Sequence, residues 1–267
     1  MYWKDVWRFR NSNEYEHKYA GNYGAKGEKR ARRKKATPEQ IKKQNQANRE
    51  KKMRRLIKEN FIPTDMWNCL KYPAGTRKTV EEYKDDLSKF LDKMRKQYKK
   101  RGEVFKFVYR MEVSKRGGVH IHILINRLCG QTDTDILVQK AWKHGRVNFE
   151  NIYESGGYED LANYIVKPLE DEEWEQLTMF PEEDRKEFVK YSTSRNLVRP
   201  EPERKVYSRW TMRKLIEEGP KPTPGYYIDK NSIVCGINPY TGMSYYHYTE
   251  YRINPINSRD NSEKLRE

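Results

Sequence analysis

The sequence predicts an α+β fold: a central antiparallel sheet with flanking helices, a basic helical N-terminal extension, and a small C-terminal β meander. Three observations carry this. Two segments of alternating apolar character, residues 105–113 and 119–126, are joined by Gly117-Gly118 and read as an antiparallel hairpin. Val80, Tyr83, Leu87, Phe90, Leu91, Met94 and Tyr98 recur at three- and four-residue steps, the period of an amphipathic helix. Positive charge is concentrated ahead of both: residues 26–58 hold 15 Lys and Arg against 3 Glu, most of the net +16 of a 267-residue chain.

From the N-terminus, residues 1–10 alternate charges with aromatics and lack the apolar core of a signal peptide. With no apolar run long enough to span a bilayer, this points to the cytoplasm. Residues 11–27 show no periodicity and are expected to be loosely ordered. Thr37-Pro38-Glu39-Gln40 is a helix start, with Thr as cap, Pro at the first helical position and Gln closing a capping box. The helix runs from about 38 to 60. Its apolar positions (Ile41, Met53, Leu56, Ile57) are sparse until the end, so only its last turns can pack and the earlier ones form a basic rod.

A short strand at 66–72, stopped by Pro73 and Gly75, precedes the amphipathic helix at about 79–100 and then the hairpin. A helix at 132–143, a strand at 146–152 and a short helix at 158–167 ended by Pro168 follow. Residues 170–190 are acidic with a helical period, and Ser208 caps a helix reaching Glu218. After the Pro-rich residues 219–225, segments 226–229, 232–237 and 244–251 suggest the meander, and residues 254–267 are expected to be disordered. The implied division is a basic extension (1–60), a core (61–169), a helical and β region (170–253) and a tail (254–267).

The charge makes a polyanion the expected partner, nucleic acid ahead of an anionic membrane surface. Arg30, Arg32, Arg33, Lys34, Lys35, Lys42, Lys43, Arg54 and Arg55 are the candidate DNA contacts, because a phosphate backbone releases counterions when neutralised. The competing reading is a solvated charged face. Cys69, Cys129 and Cys235 are far apart and form no CxxC pair, which argues against a disulfide framework or zinc knuckle and for ordinary buried thiols.

The chemistry centres on GVHIHILIN, residues 118–126. In a strand, His120, His122 and Leu124 share one face, while Val119, Ile121, Ile123 and Ile125 share the other. A buried strand gives two side-by-side imidazoles no reward for desolvation, whereas a divalent cation would use both. A hydrogen-bonded histidine pair on a half-exposed face is the alternative. Glu112, on the preceding strand, falls on the histidine face if the hairpin loop is odd or bulged and on the opposite face if the turn has two residues; the odd loop is the expectation. Tyr164 and Lys167 lie three apart on one helix face, where Tyr164 could also be a core aromatic.

Together, RGGVHIHILIN and YIVK (Tyr164 to Lys167) resemble the two-histidine and YxxK motifs of the HUH endonuclease superfamily of rolling-circle replication initiators. The likeness covers residues 61–169, with Lys71 where that superfamily's first strand usually presents Thr. It implies an RRM-like palm and a divalent Mg or Mn held by His120, His122 and Glu112. It further implies a single-tyrosine mechanism: Tyr164, assisted by Lys167, nicks and rejoins single-stranded DNA at a replication origin through a 5′-phosphotyrosyl link. No GxxxxGK-type phosphate loop is present, so unwinding would fall to a host helicase and extension to a host polymerase. A relaxase or single-tyrosine transposase would use the same residues. A non-catalytic module stacking bases on Phe105, Phe107 and Tyr109 is a reading from another class, as is a basic structural protein.

Overall fold

The computed structural model describes residues 1–20, 36–114, 116–129, 133–152, 157–238 and 242–256. In chain order its elements are β1 (Tyr2–Arg8), β2 (Ser12–Tyr19), α1 (Pro38–Asn60), β3 (Met66–Lys71), α2 (Val80–Lys100), β4 (Phe107–Val113) and β5 (Val119–Ile125). Then come α3 (Thr134–Ala141), β6 (Val147–Asn151), α4 (Gly157–Val166), α5 (Asp171–Gln176), α6 (Glu182–Val189), β7 (Tyr191–Thr193), β8 (Glu203–Tyr207), α7 (Arg209–Glu218), β9 (Tyr226–Ile237) and β10 (Ser244–Arg252). The fold is α+β, with two five-stranded antiparallel sheets. No described helix is long and apolar enough to cross a membrane.

One unit comprises residues 46–198, and its sheet has the order β6-β3-β5-β4-β7. β5 lies at the centre with both faces covered at its C-terminal end, which is why Ile121, Ile123, Leu124 and Ile125 are all fully buried. On one face, Met66, Leu70, Phe107, Met111 and the β5 isoleucines pack against α2 and α3. On the other, Trp67, Val108 and Leu124 pack against the last turns of α1 and against α4. α2 starts in a reciprocal capping box between Thr79 and Glu82, and α1 in the expected one between Thr37 and Gln40. Each satisfies helix-end amides that would otherwise lack acceptors.

The hairpin register pairs Val113 with Val119 and Glu112 with His120. The connection therefore spans residues 114–118, an odd loop as expected but longer than three residues, with Gly117 at φ +74 where a side chain would be strained. Gly145 is constrained more tightly: a Cβ there would lie 2.3 Å from the Lys71 carbonyl oxygen, which the Trp142 indole also binds.

The other unit comprises residues 1–45 and 199–256. Its sheet has the order β8-β1-β2-β10-β9, so the chain's first strands are central strands of a sheet completed about two hundred residues later. This corrects the division at residues 60 and 170: residues 1–19 are not part of a basic extension, and 12–19 are not loosely ordered. Tyr2, Val6, Tyr15, Tyr246 and Tyr248 form its core with Met212 of α7. The buried Glu250 carboxylate ties the sheet to the Pro-rich segment, accepting hydrogen bonds from Asn13, Tyr15 and both the hydroxyl and amide of Thr223. Asp5, also buried, holds the Arg204 guanidinium at 2.6 and 2.9 Å.

Smaller differences follow the same logic. The segments expected at 226–229 and 232–237 are one strand, β9, whose register shifts opposite His247–Thr249 while Ser232 Oγ bonds the Asp229 carbonyl. Of the tail, Ile256 is held through its amide and carbonyl by the Asn11 side chain, and residues 257–267 lie outside the described residues, as do 21–35. Phe105 and Phe107 are buried in the α2-facing core, with Tyr109 packed beside them, so they offer no base-stacking platform. Cys69 is buried as expected, but Cys129 and Cys235 are exposed.

Candidate active site

Strand register assembles the site. β5 pairs with β3 on one side and β4 on the other, which sets Cys69 and Arg110 beside His122, and Lys71 and Glu112 beside His120. Alternation turns all six side chains to the face that α4 partly covers. Leu161, Ala162, Ile165 and Val166 seat α4 against Trp67, Val108 and Leu124, and Tyr164 comes with them. Its hydroxyl donates to Glu112 Oε2 at 2.6 Å and lies 2.9 Å from His122 Nε2. That same Oε2 is 3.5 Å from Nε2 of both His120 and His122. One carboxylate oxygen is thus the shared neighbour of the phenol and both imidazoles.

Electrostatics follow from this burial. Desolvation opposes charge on Glu112, but hydrogen bonds from His120 and Tyr164 and the nearby His122 and Arg110 outweigh it and bring the carboxyl down to about 2. His122 moves down to about 4, chiefly because burial disfavours its cation despite the attraction of Glu112. At neutral pH the pair is a carboxylate and a neutral imidazole, the forms in which both bind metals. Burial and the bond to Glu112 raise the Tyr164 phenol well above its ordinary value, so in this arrangement it keeps its proton.

Lys167 takes a different place from the one its spacing suggested. Its ammonium pairs with Glu173 at 2.9 Å and lies over the Tyr164 ring, 5.3 Å from the centroid, rather than at the oxygen. The hydroxyl is instead controlled by Glu112 and His122.

Three contributors escaped the sequence reading. Arg110, fully buried, sends its NH1 to the carbonyls of Tyr164, Ile165 and Lys167 at 3.3, 3.2 and 2.7 Å, and its Nε lies 3.4 Å from Glu112 Oε1. It caps the C-terminus of α4, where a cation complements the helix dipole, and links that end to the carboxylate. Trp67 stacks on His122 at 5.4 Å and meets Tyr164 edge-on at 6.0 Å. Cys69 Sγ lies 3.9 Å from His122 Nε2. The available signal was parity: Arg110 shares a strand face with Glu112, and Trp67 and Cys69 share one with each other.

The open part of the face borders a cleft of about 420 Å³ lined by Lys71, Arg77, Ser114, Arg116, His120 and His122, among others. A cleft carrying three cations and hydroxyl donors beside the Tyr164 site suits a phosphodiester. Residues 65–169 match the family of replication-associated protein ORF2. The matched stretch covers less than half of the chain but takes in β3 through α4, and so every residue of the site except Glu173. It is consistent with a rolling-circle replication initiator and supports a role in replication initiation. No curated protein and no solved structure gives a match.

Outside the replication-associated segment, the basic candidates separate. Lys42 and Lys43 are exposed on the first half of α1, whereas Arg54 is largely covered and lies 3.5 Å from Glu159 on α4, and Arg55 is half-buried. Arg30, Arg32, Arg33, Lys34 and Lys35 lie outside the described residues.

Proposed function

We propose that this chain nicks and rejoins single-stranded DNA at a replication origin by tyrosine transesterification. The observation that carries the reading is the convergence of the Tyr164 hydroxyl with Glu112 and two imidazoles beside a cationic cleft. In the cutting step the Tyr164 O–H bond breaks and its proton leaves to water. The oxygen then bonds to phosphorus, the P–O3′ bond breaks, and O3′ takes a proton. The product is a 5′-phosphotyrosyl link and a free 3′-OH, which host polymerase and helicase would use. Reversal by a new 3′-OH rejoins the strand with no ATP. The family match favours an initiator over a relaxase or transposase.

His120, His122 and Glu112 would hold a divalent cation, Mg or Mn. The donor set fits: two ring nitrogens stand equidistant from an ionised carboxylate whose other oxygen, Oε1, is buried without a hydrogen-bond partner. Such an ion supplies charge stabilisation at the scissile phosphate. Glu112 meanwhile holds the phenol protonated, so attack requires its charge to be neutralised; Arg110 already faces its other oxygen.

Incubating the protein with pooled single-stranded DNA and Mn, then sequencing whatever stays covalently attached, tests the reading. His120→Ala or His122→Ala is expected to lower nicking by on the order of 10³-fold, several kcal/mol of transition-state stabilisation, while leaving most DNA binding intact. Equal loss of both activities would assign the histidines a structural role.

The exposed lysines of α1 make a separate claim about affinity. Replacing Lys42 and Lys43 with Gln should flatten the dependence of log affinity for single strands on log salt by about 0.7 for each phosphate that is no longer neutralised, with cleavage at saturating DNA preserved. An unchanged slope would show that this helix does not touch the backbone.

A further inference from the structure

We propose that Cys69 is a metal ligand, making the histidine site selective for a thiophilic divalent cation such as zinc over Mg or Mn. The proposal rests on reading His120 and His122 as metal ligands and extends it to a third strand. Ligand atoms of Cys69, His120 and His122 all lie within 4.8 Å of one another. This is a product of register: β3 and β5 place Cys69 directly across from His122, with both side chains on the same face.

The separations fit a small tetrahedral ion. With metal–ligand bonds of about 2.0–2.3 Å, neighbouring ligand atoms in a tetrahedron stand about 3.3–3.8 Å apart. Cys69 Sγ to His122 Nε2 is 3.9 Å, and Glu112 Oε2 to each histidine Nε2 is 3.5 Å. One sulfur, two imidazole nitrogens and a carboxylate oxygen form a donor set that suits zinc or cobalt, whereas magnesium favours octahedral oxygen donors and water. Cys69 and both histidines line the cleft, which provides the entry path. On binding, the Cys69 S–H bond breaks, its proton leaves to water, and a sulfur–metal bond forms; no electron is transferred. The Tyr164 hydroxyl, bound to Glu112 and near His122, gives up those contacts as the ion enters.

The test uses the full chain with the exposed Cys129 and Cys235 changed to Ser, leaving Cys69 as its one thiol. Titration with Co²⁺ under reducing, oxygen-free conditions is expected to produce a sulfur-to-cobalt charge-transfer band in the near ultraviolet and visible bands of tetrahedral cobalt. One equivalent of Zn²⁺ should remove both; Mg²⁺ should not. Adding Cys69→Ser should abolish the charge-transfer band and lower Zn²⁺ affinity by at least on the order of 100-fold, with Mn²⁺ affinity unchanged. Absence of the charge-transfer band in the protein that retains Cys69 overturns the proposal whether or not the Ser variant folds. If Mn-dependent nicking persists in that protein, the nicking reading survives the loss of this one; absence of both metal binding and nicking removes both.

Discussion

Replacing Tyr164 with Phe is expected to eliminate the covalent protein–DNA adduct, seen as the loss of a shifted band on a denaturing gel with Mn and single-stranded substrate. The substitution removes one oxygen and leaves the ring packed against Trp67. It is not silent for stability. The hydroxyl is a donor to a buried carboxylate, and withdrawing it should cost about 1–3 kcal/mol, measured as a lower denaturant midpoint. That cost should fade in acid: the Glu112 carboxyl is depressed by the folded state, so its contacts stabilise the protein above the unfolded carboxyl pKa and are lost as pH falls towards about 2. A persisting adduct mapped to another tyrosine would overturn the assignment. Tyr158 is poorly placed for that role, because its hydroxyl reaches the Phe61 carbonyl, 3.3 Å away.

The part of the fold legible in the sequence was the part whose faces differ cleanly in polarity. α2 announces itself because its apolar residues keep one stripe, and β5 because the residues opposite its histidines are all branched aliphatics. β1 and β2 stayed hidden because Asp5, Glu14 and Glu16 occupy buried positions, which breaks the apolar alternation. Arg204, which neutralises Asp5, is 199 residues away, so no local window shows why an acid is tolerated there. β7 has three residues and β8 is mostly exposed, too little periodicity in either case. Within the site, Glu112, His120, His122 and Tyr164 could be read from motifs, and loop parity sufficed to place Glu112. Cys69 and Arg110 required the pairing register of three strands. The register also alters what can be tested: Met53, Leu56 and Ile57 of α1 are core residues, so deleting residues 1–60 would remove core packing along with charge.

Arg110 carries the other large expected effect. Among the described residues it ties the end of the Tyr164 helix to the strand that bears Glu112, so it fixes the nucleophile relative to the carboxylate without touching substrate itself. Arg110→Met fills the volume but strands three carbonyls and leaves Glu112 charged and buried without its guanidinium; a loss of about 3–5 kcal/mol in folding stability is expected from such a broken buried pair. Arg110→Lys separates position from fold. It keeps the positive charge, yet a compact ammonium on a flexible stem cannot reproduce the planar fork that spans the helix end and the carboxylate. The single-turnover nicking rate should therefore fall by on the order of 10²-fold through misplacement of the Tyr164 oxygen, while DNA affinity stays at the wild-type value. A Lys variant that nicks at the wild-type rate would show that Arg110 serves stability alone. One that loses rate and DNA affinity together would place it in the binding surface, which its complete burial argues against.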